Sequence, residues 1–176
     1  SVDVERGEQV FESDSATARL SPDETAVTKI ELRGHSRVTG GEGALEAMSA
    51  RDIDLDYTDD GVTLERVLLT GEATVALAGQ GGEAGRQLAA ATLDLSLAPD
   101  GEITRAVGSE NVQLLLPATD TLAARTVKAR QLDAMGEPGR GLTAARFTDN
   151  VEYREDPTDG SAPRLARSLA LRTSLD

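Results

Sequence analysis

The clearest pattern in the chain is alternation of apolar and polar positions with period two. Ile53, Leu55 and Tyr57 alternate with Asp52, Asp54 and Asp56, and Leu93, Leu95 and Leu97 alternate with Thr92, Asp94 and Ser96. Such alternation marks a strand with one face buried and one in water. Asp-Gly pairs punctuate it at "TDDG" (58–61) and "PDG" (99–101), the turn chemistry that hairpins favour. The terminal segments "EQVFESDSATARL" (8–20) and "RLARSLALRTSL" (164–175) alternate as well. The pattern predicts an all-β chain of roughly ten strands. Local helix propensity offers an alternative for "LEAMSAR" (45–51) and "LAARTVKARQL" (122–132).

The alternation repeats at longer range. "LRGHSRV" (32–38), "LTGEATV" (69–75) and "AVGSENV" (106–112) align with Gly34, Gly71 and Gly108 at a constant 37-residue step. A fourth copy, "RFTDNVEYRE" (146–155), has Asp149 in place of glycine, and the insertion "GEPGRG" (136–141) lengthens its spacing. Glycine inside a strand marks a bulge, a bend or a close approach. Two readings follow for these glycines: a kink that lets a long antiparallel strand curl, or a turn between two short strands. In the first, the three glycines hold equivalent places on successive strands.

Composition sets bounds on function. The chain of 176 residues fits one domain, with 39% hydrophobic residues but only two Tyr, two Phe and no Trp, so the core is built from Val, Leu, Ile and Ala. A net charge of −13 argues against tracking a phosphate backbone, and platforms for base stacking are missing, so no nucleic-acid partner is expected. There is no Cys and a single His35, which disfavours thiolate or histidine metal sites. "GQGGEA" (79–84) formally matches a dinucleotide loop, but "TLDLSL" follows as a strand rather than a helix, and a hairpin loop is the better reading. "DIDLDYTDDG" (52–61) lacks Gly and Glu at the sixth and twelfth places of a calcium loop, so it reads as a solvated face plus a turn. Carboxylate pairs for glycosidic chemistry could be drawn anywhere among 31 acidic residues. His35 and Ser36 read as solvent-facing strand positions. No cofactor, metal or catalytic residue is expected.

An apolar face remains. Ile53, Leu55, Val75, Leu77, Leu93, Leu95, Val112 and Leu114 are in phase on their strands and are expected to line one interior. That interior is either a packed core or a groove, and the many alanines leave space for a groove. Leu165, Leu169 and Leu171 keep one face of the last segment apolar, with no Gly and no Pro beyond Pro163, as an edge strand for pairing with a neighbour would.

The motifs "LEAMSARDIDLDYTDDGVTLERVLLTGEATVAL" (45–77), "LAAATLDLSLAPDGEITRAVGSENVQL" (88–114) and "LTAARFTDNVEYRE" (142–155) resemble the OstA-like periplasmic proteins of lipopolysaccharide export, the LptA/LptC group. The resemblance covers most of residues 9–171. It implies a twisted, semi-open antiparallel jelly roll that holds acyl chains of lipopolysaccharide or another acylated lipid between its sheets. It implies no catalysis. It also implies edge-strand joining to adjacent OstA-like domains, and a place in the periplasm near an inner-membrane transporter complex, with or without an anchor in that membrane. On this reading the 176 residues form a single OstA-like domain excised from a longer chain. The function expected is that of a lipid-binding or lipid-conducting bridge module; the alternative is a structural β-repeat scaffold or interaction domain with a filled core.

Overall fold

The computed structural model describes residues 2–6, 8–40, 44–79, 85–120 and 122–175. All described regular structure is strand: β1 (Val2–Arg6), β2 (Gln9–Ser13), β3 (Ser15–Leu20), β4 (Val27–Thr39), β5 (Leu45–Tyr57), β6 (Leu64–Leu77), β7 (Arg86–Leu97), β8 (Ile103–Leu116), β9 (Ala124–Glu137), β10 (Gly141–Asp156) and β11 (Arg164–Ser174). They form one antiparallel sheet in the order β1-β2-β4-β5-β6-β7-β8-β9-β10-β11, with β3 paired to β4 beside β2. The sheet does not close, since β1 and β11 stand at its ends. The expected all-β, jelly-roll-like architecture of repeated hairpins holds. The first stretch with local helix propensity is strand within β5, and the second is strand from Ala124 on, within β9: cross-strand burial outweighs a preference worth a few tenths of a kcal/mol per residue.

Every long strand is bent near its middle. Consecutive residues with positive φ occur at Gly34–His35 (74° and 46°), Gly71–Glu72 (82° and 54°), Glu110–Asn111 (58° and 54°) and Asp149–Asn150 (64° and 56°). Each pair sits in a two-against-one bulge, where the register breaks opposite Arg51, Ala91, Arg130 and Leu169 respectively. Bulges bend the strand and increase its twist. Aligned on β4, β6, β8 and β10, they crease the whole sheet along one line. The first strand is broken at the same line: β2 and β3 flank Asp14, whose backbone N–H donates to the carbonyls of Arg33 and Gly34 and whose carboxylate meets His35 Nδ1 at 2.9 Å. The segment 8–20 is therefore two short strands about one kink.

The crease corrects the 37-residue register. Gly34, Gly71 and Asp149 do occupy equivalent places, but the third member is Glu110, and Gly108 does not share the positive φ. Gly108 instead stands in the inward row with Leu32, Ile53, Leu69, Leu93, Leu132 and Phe147, paired with Leu93 on β7 and Leu132 on β9. The steps between pairs are 37, 39 and 39 residues, so "GEPGRG" is no insertion; it forms the β9–β10 hairpin turn. The chance valine four residues after Gly108 made the wrong alignment look regular.

Because one face of each central strand is buried and no helix covers it, the creased sheet packs against itself. On one side of the crease, wall I comprises 36–39, 45–50, 73–77, 86–90, 112–116, 124–129 and 151–156; wall II comprises the remaining halves of β4 to β10. In wall I an inward row runs through Phe11, Val38, Met48, Val75, Leu88, Leu114, Val127 and Tyr153. The residues nearest the crease are small or mid-sized: Ser36 faces Ala50, Ala73 faces Ala90, Val112 faces Ala129, and Val151 faces Ser168. All but Ser168 are buried. Small side chains suit the place where the two walls converge, which accounts for Ala50, Ala73, Ala90 and Ala129. The Ala44 N–H bonded to the Gly101 carbonyl at 3.4 Å joins the start of β5 to the β7–β8 turn.

At the β1 end the roll is held by Arg6, whose guanidinium donates to the Gly61 carbonyl and lies 4.1 Å from the centre of the Tyr57 ring. Burial pushes the Tyr57 phenol above its ordinary pKa. The outer face is charged and cross-linked strand to strand. Arg33 meets Asp54 at 2.7 Å, Lys29 meets Asp56 at 3.1 Å, and Arg66 grips Asp94 with two bonds of 2.8 and 2.6 Å. The acidic run 52–61 is thus a paired outer face ending in the Thr58–Gly61 turn.

Candidate functional site

The interior between the walls is filled over most of its length and open at one end. Ile53, Leu55, Val75, Leu93, Leu95 and Val112, expected to line a groove, face the interior but are at most 1% exposed and belong to the packed core. Leu77 and Leu114, from the same set, reach a cavity of about 380 Å³. The in-phase residues therefore do share one interior, and of the eight Leu77 and Leu114 line this cavity.

This cavity has a wall from each half of the sheet. Wall I contributes Leu77, Leu88 and Leu114; wall II contributes Ile103, Leu132, Ala134 and Ala145, with Leu142 and Leu175 at the margin. The space has a visible cause in one cross-strand row of wall II. Paired residue by residue from β4 to β10, it reads Ile30, Leu55, Val67, Leu95, Ala106, Ala134, Ala145. Its side chains shrink to methyls toward β10, and Ala134 and Ala145 of this row line the cavity. Alternation marked these positions as inward, but only the cross-strand register reveals the run of three alanines.

The mouth is polar. Arg86 lines it from wall I, and Glu102 and Arg140 from the hairpin ends of wall II. Arg140 meets Glu137 at 3.1 Å. The Glu102 carboxylate lies over Gly141, where an added Cβ would come within 2.7 Å of Oε2. The volume falls at the low end of the range of small-molecule pockets, roughly 300–1,000 Å³. Among the described residues no nucleophile–base pair and no convergent carboxylate pair faces it, and those residues make an apolar slot with a charged rim.

His35 and Ser36 separate at the crease. His35 is exposed and paired to Asp14, as a solvent-facing residue would be. Ser36 is 1% exposed and donates from Oγ to the Arg51 carbonyl at 3.1 Å, contrary to its expected solvent position. The bulge restores Ser36 to the inner face, and its hydroxyl satisfies a carbonyl left by the broken ladder. Of "GQGGEA" only Gly79 is described; 80–84 lie outside the described residues.

The last strand pairs with β10 alone and is exposed nearly throughout. Leu165 and Leu169 are 60% and 83% exposed, whereas Leu171 is half-buried opposite Phe147. The three leucines therefore do not share one face. The bulge at Asp149–Asn150 shifts the phase by one residue, so Leu165 and Leu169 point out and Leu171 points in. The free main-chain edge of β11 is present, but its apolar side chains are split between the two faces.

Among the described residues no helix is long and apolar enough to cross a membrane, and no group of three potential ligands could hold a metal ion. Compared with protein-family models, curated proteins and solved structures, the chain matches none of them.

Proposed function

We propose that this protein is a non-enzymatic binding module that holds the hydrocarbon part of an amphiphile in the slot between its two walls. The observation that carries the reading is a solvent-accessible volume with a polar mouth, floored by the buried side chains of Leu88, Leu114, Leu132 and Ala145. Its volume of about 380 Å³ falls within the range of small-molecule sites, roughly 300–1,000 Å³, and its floor is aliphatic. The likeness of the sequence to OstA-like proteins supports the same reading. With it come an acylated lipid such as lipopolysaccharide as ligand, a periplasmic location beside an inner-membrane transporter complex, and joining to a neighbouring domain along β11. The creased jelly-roll-like sheet is compatible with each of these.

A scaffold with a filled core is the second reading, and it is favoured by the six expected groove residues that lie in packed core. Photo-crosslinking residues separate the two. Placed at Leu88 and Leu114 they are expected to capture a radiolabelled acyl lipid, while at Asp54 and Asp94 on the outer face they capture none. Equal capture at both sets, or none at either, would favour the scaffold.

A further inference from the structure

Wall I carries two inward-facing arginines near its strand ends: Arg86 lines the slot, and Arg125 stands two strands further along, outside the lining residues. Arg86 is paired with Leu77 at the start of β7, and Arg125 is paired with Leu116 near the start of β9. Both continue the inward parity of their strands, two residues before Leu88 and Val127 respectively. In antiparallel register they straddle Leu116 on β8, about 10 Å apart at two inter-strand spacings. Both are half-buried, and neither makes a hydrogen bond or ion pair with a described residue. Arg125 Nε is buried without a partner. Among the described residues the other cations without an ion pair or side-chain hydrogen bond, Arg37, Lys128, Arg146 and Arg172, are exposed to water, so the half-burial of Arg86 and Arg125 sets these two apart.

Nearby carboxylates do not fill the role. Glu155, opposite Arg125 in the register, is engaged by Arg164 at 3.2 Å and by the Tyr153 hydroxyl at 3.0 Å. Glu102 lies across the slot on wall II, beside Gly141. A buried donor left unpaired costs free energy, and guanidinium groups match carboxylate and phosphate oxygens in geometry.

We propose that Arg86 and Arg125 form the head-group site of the slot, and that the ligand is an anionic amphiphile whose oxyacid head sits on the rim of wall I while its alkyl chain enters between Leu88 and Ala145. The proposal rests on the reading of the slot as a hydrocarbon site and adds the charge of the ligand. It also explains how a protein of net charge −13 takes an anion: the positive charge is local and half-buried.

Calorimetry on the whole chain tests it with four probes below their micellar concentrations: dodecyl phosphate, laurate, dodecyl maltoside and inorganic phosphate. Dodecyl phosphate and laurate are expected to bind about tenfold or more tighter than dodecyl maltoside, the advantage of a charge-assisted hydrogen bond. Inorganic phosphate alone should bind far more weakly than dodecyl phosphate. Arg86→Gln and Arg125→Gln should each remove most of that advantage and leave dodecyl maltoside unchanged, while Arg105→Gln, on the outer face, changes neither. If dodecyl maltoside binds as tightly as the anions, the head-group site is wrong and the hydrocarbon slot stands. Should inorganic phosphate match dodecyl phosphate, the rim is an anion site with no amphiphile, and the proposal fails. If no probe binds, slot and head-group site fall together.

Discussion

Replacing Gly71 and Gly108 by alanine, one at a time, separates the two alignments of the repeat. Gly71 has φ of +82°, and a Cβ there would come within 2.9 Å of Arg51 Cβ on the neighbouring strand. An L-residue in the left-handed region costs roughly 1–2 kcal/mol, and the overlap adds to it because Arg51 Cβ moves only with its backbone. Against this, losing glycine restricts the unfolded chain and returns about 0.4–1 kcal/mol. The net is a loss of about 1–2 kcal/mol. Gly108 has no such backbone penalty; its Cβ would lie 3.2–3.3 Å from Val112 Cγ2, Leu132 Cβ and Leu93 Cδ2, two of them side-chain ends that can give. The small crowding and the entropic return nearly cancel, so Gly108→Ala should change stability by less than about 0.5 kcal/mol.

Urea unfolding followed by circular dichroism reads the difference, with the slope held constant so that the midpoint alone reports stability. Thermal midpoints should separate by about 2–6 °C for a domain of this size. Equal losses in the two variants would refute the assignment of the third bend to Glu110–Asn111 and restore the 37-residue register. A loss confined to Gly108→Ala would overturn the crease altogether.

Two further outcomes follow from side chains on either face. Ala145→Leu should fill part of the slot, raising stability by about 1–2 kcal/mol through new burial and abolishing alkyl binding; destabilisation by overpacking would mean the space is not there. The Asp52 carboxylate is held below its ordinary 3.8, first by the Arg51 guanidinium and then by the Gly34 N–H at the bend, so its stabilisation is present above pH ~4 and is lost as pH falls through the lowered value. Asp52→Asn should therefore be less stable than the parent by ~0.5 kcal/mol at pH 6 and equal to it near pH 2; a gap that persists in acid would place the effect outside the carboxylate charge.

The strand content, the hairpin turns and the inward face were legible because period two and Asp-Gly turns are local signals. The bends were only half legible. Gly34, Gly71 and Asp149 announced themselves, yet Glu110–Asn111 hid the third behind Gly108, since nothing in a single sequence forbids glutamate from adopting positive φ. The same blind spot misplaced Ser36 and the phase of Leu165, Leu169 and Leu171: a bulge changes the parity of every residue beyond it, and its position is fixed by pairing between strands. A local trace did exist. In β5, β7 and β9 the inward residues skip from Ala50 to Ile53, Ala90 to Leu93 and Ala129 to Leu132, a three-residue step inside an otherwise two-residue rhythm.

That step also separates two uses of alanine that composition merges. At the crease, Ala50, Ala73, Ala90 and Ala129 are small because two walls of backbone converge there, and they enclose no open space. In the wall II row, Ala106, Ala134 and Ala145 succeed Ile30, Leu55, Val67 and Leu95, where the walls have diverged enough for large side chains. Methyl groups at that distance from the crease cannot span the gap, and the slot is the volume they leave unfilled. Selection for stability alone would place leucine at Ala145, since each buried methylene contributes roughly 0.8 kcal/mol. The forgone burial is what the proposed ligand slot would account for, and a more stable, non-binding Ala145→Leu protein is what that proposal requires.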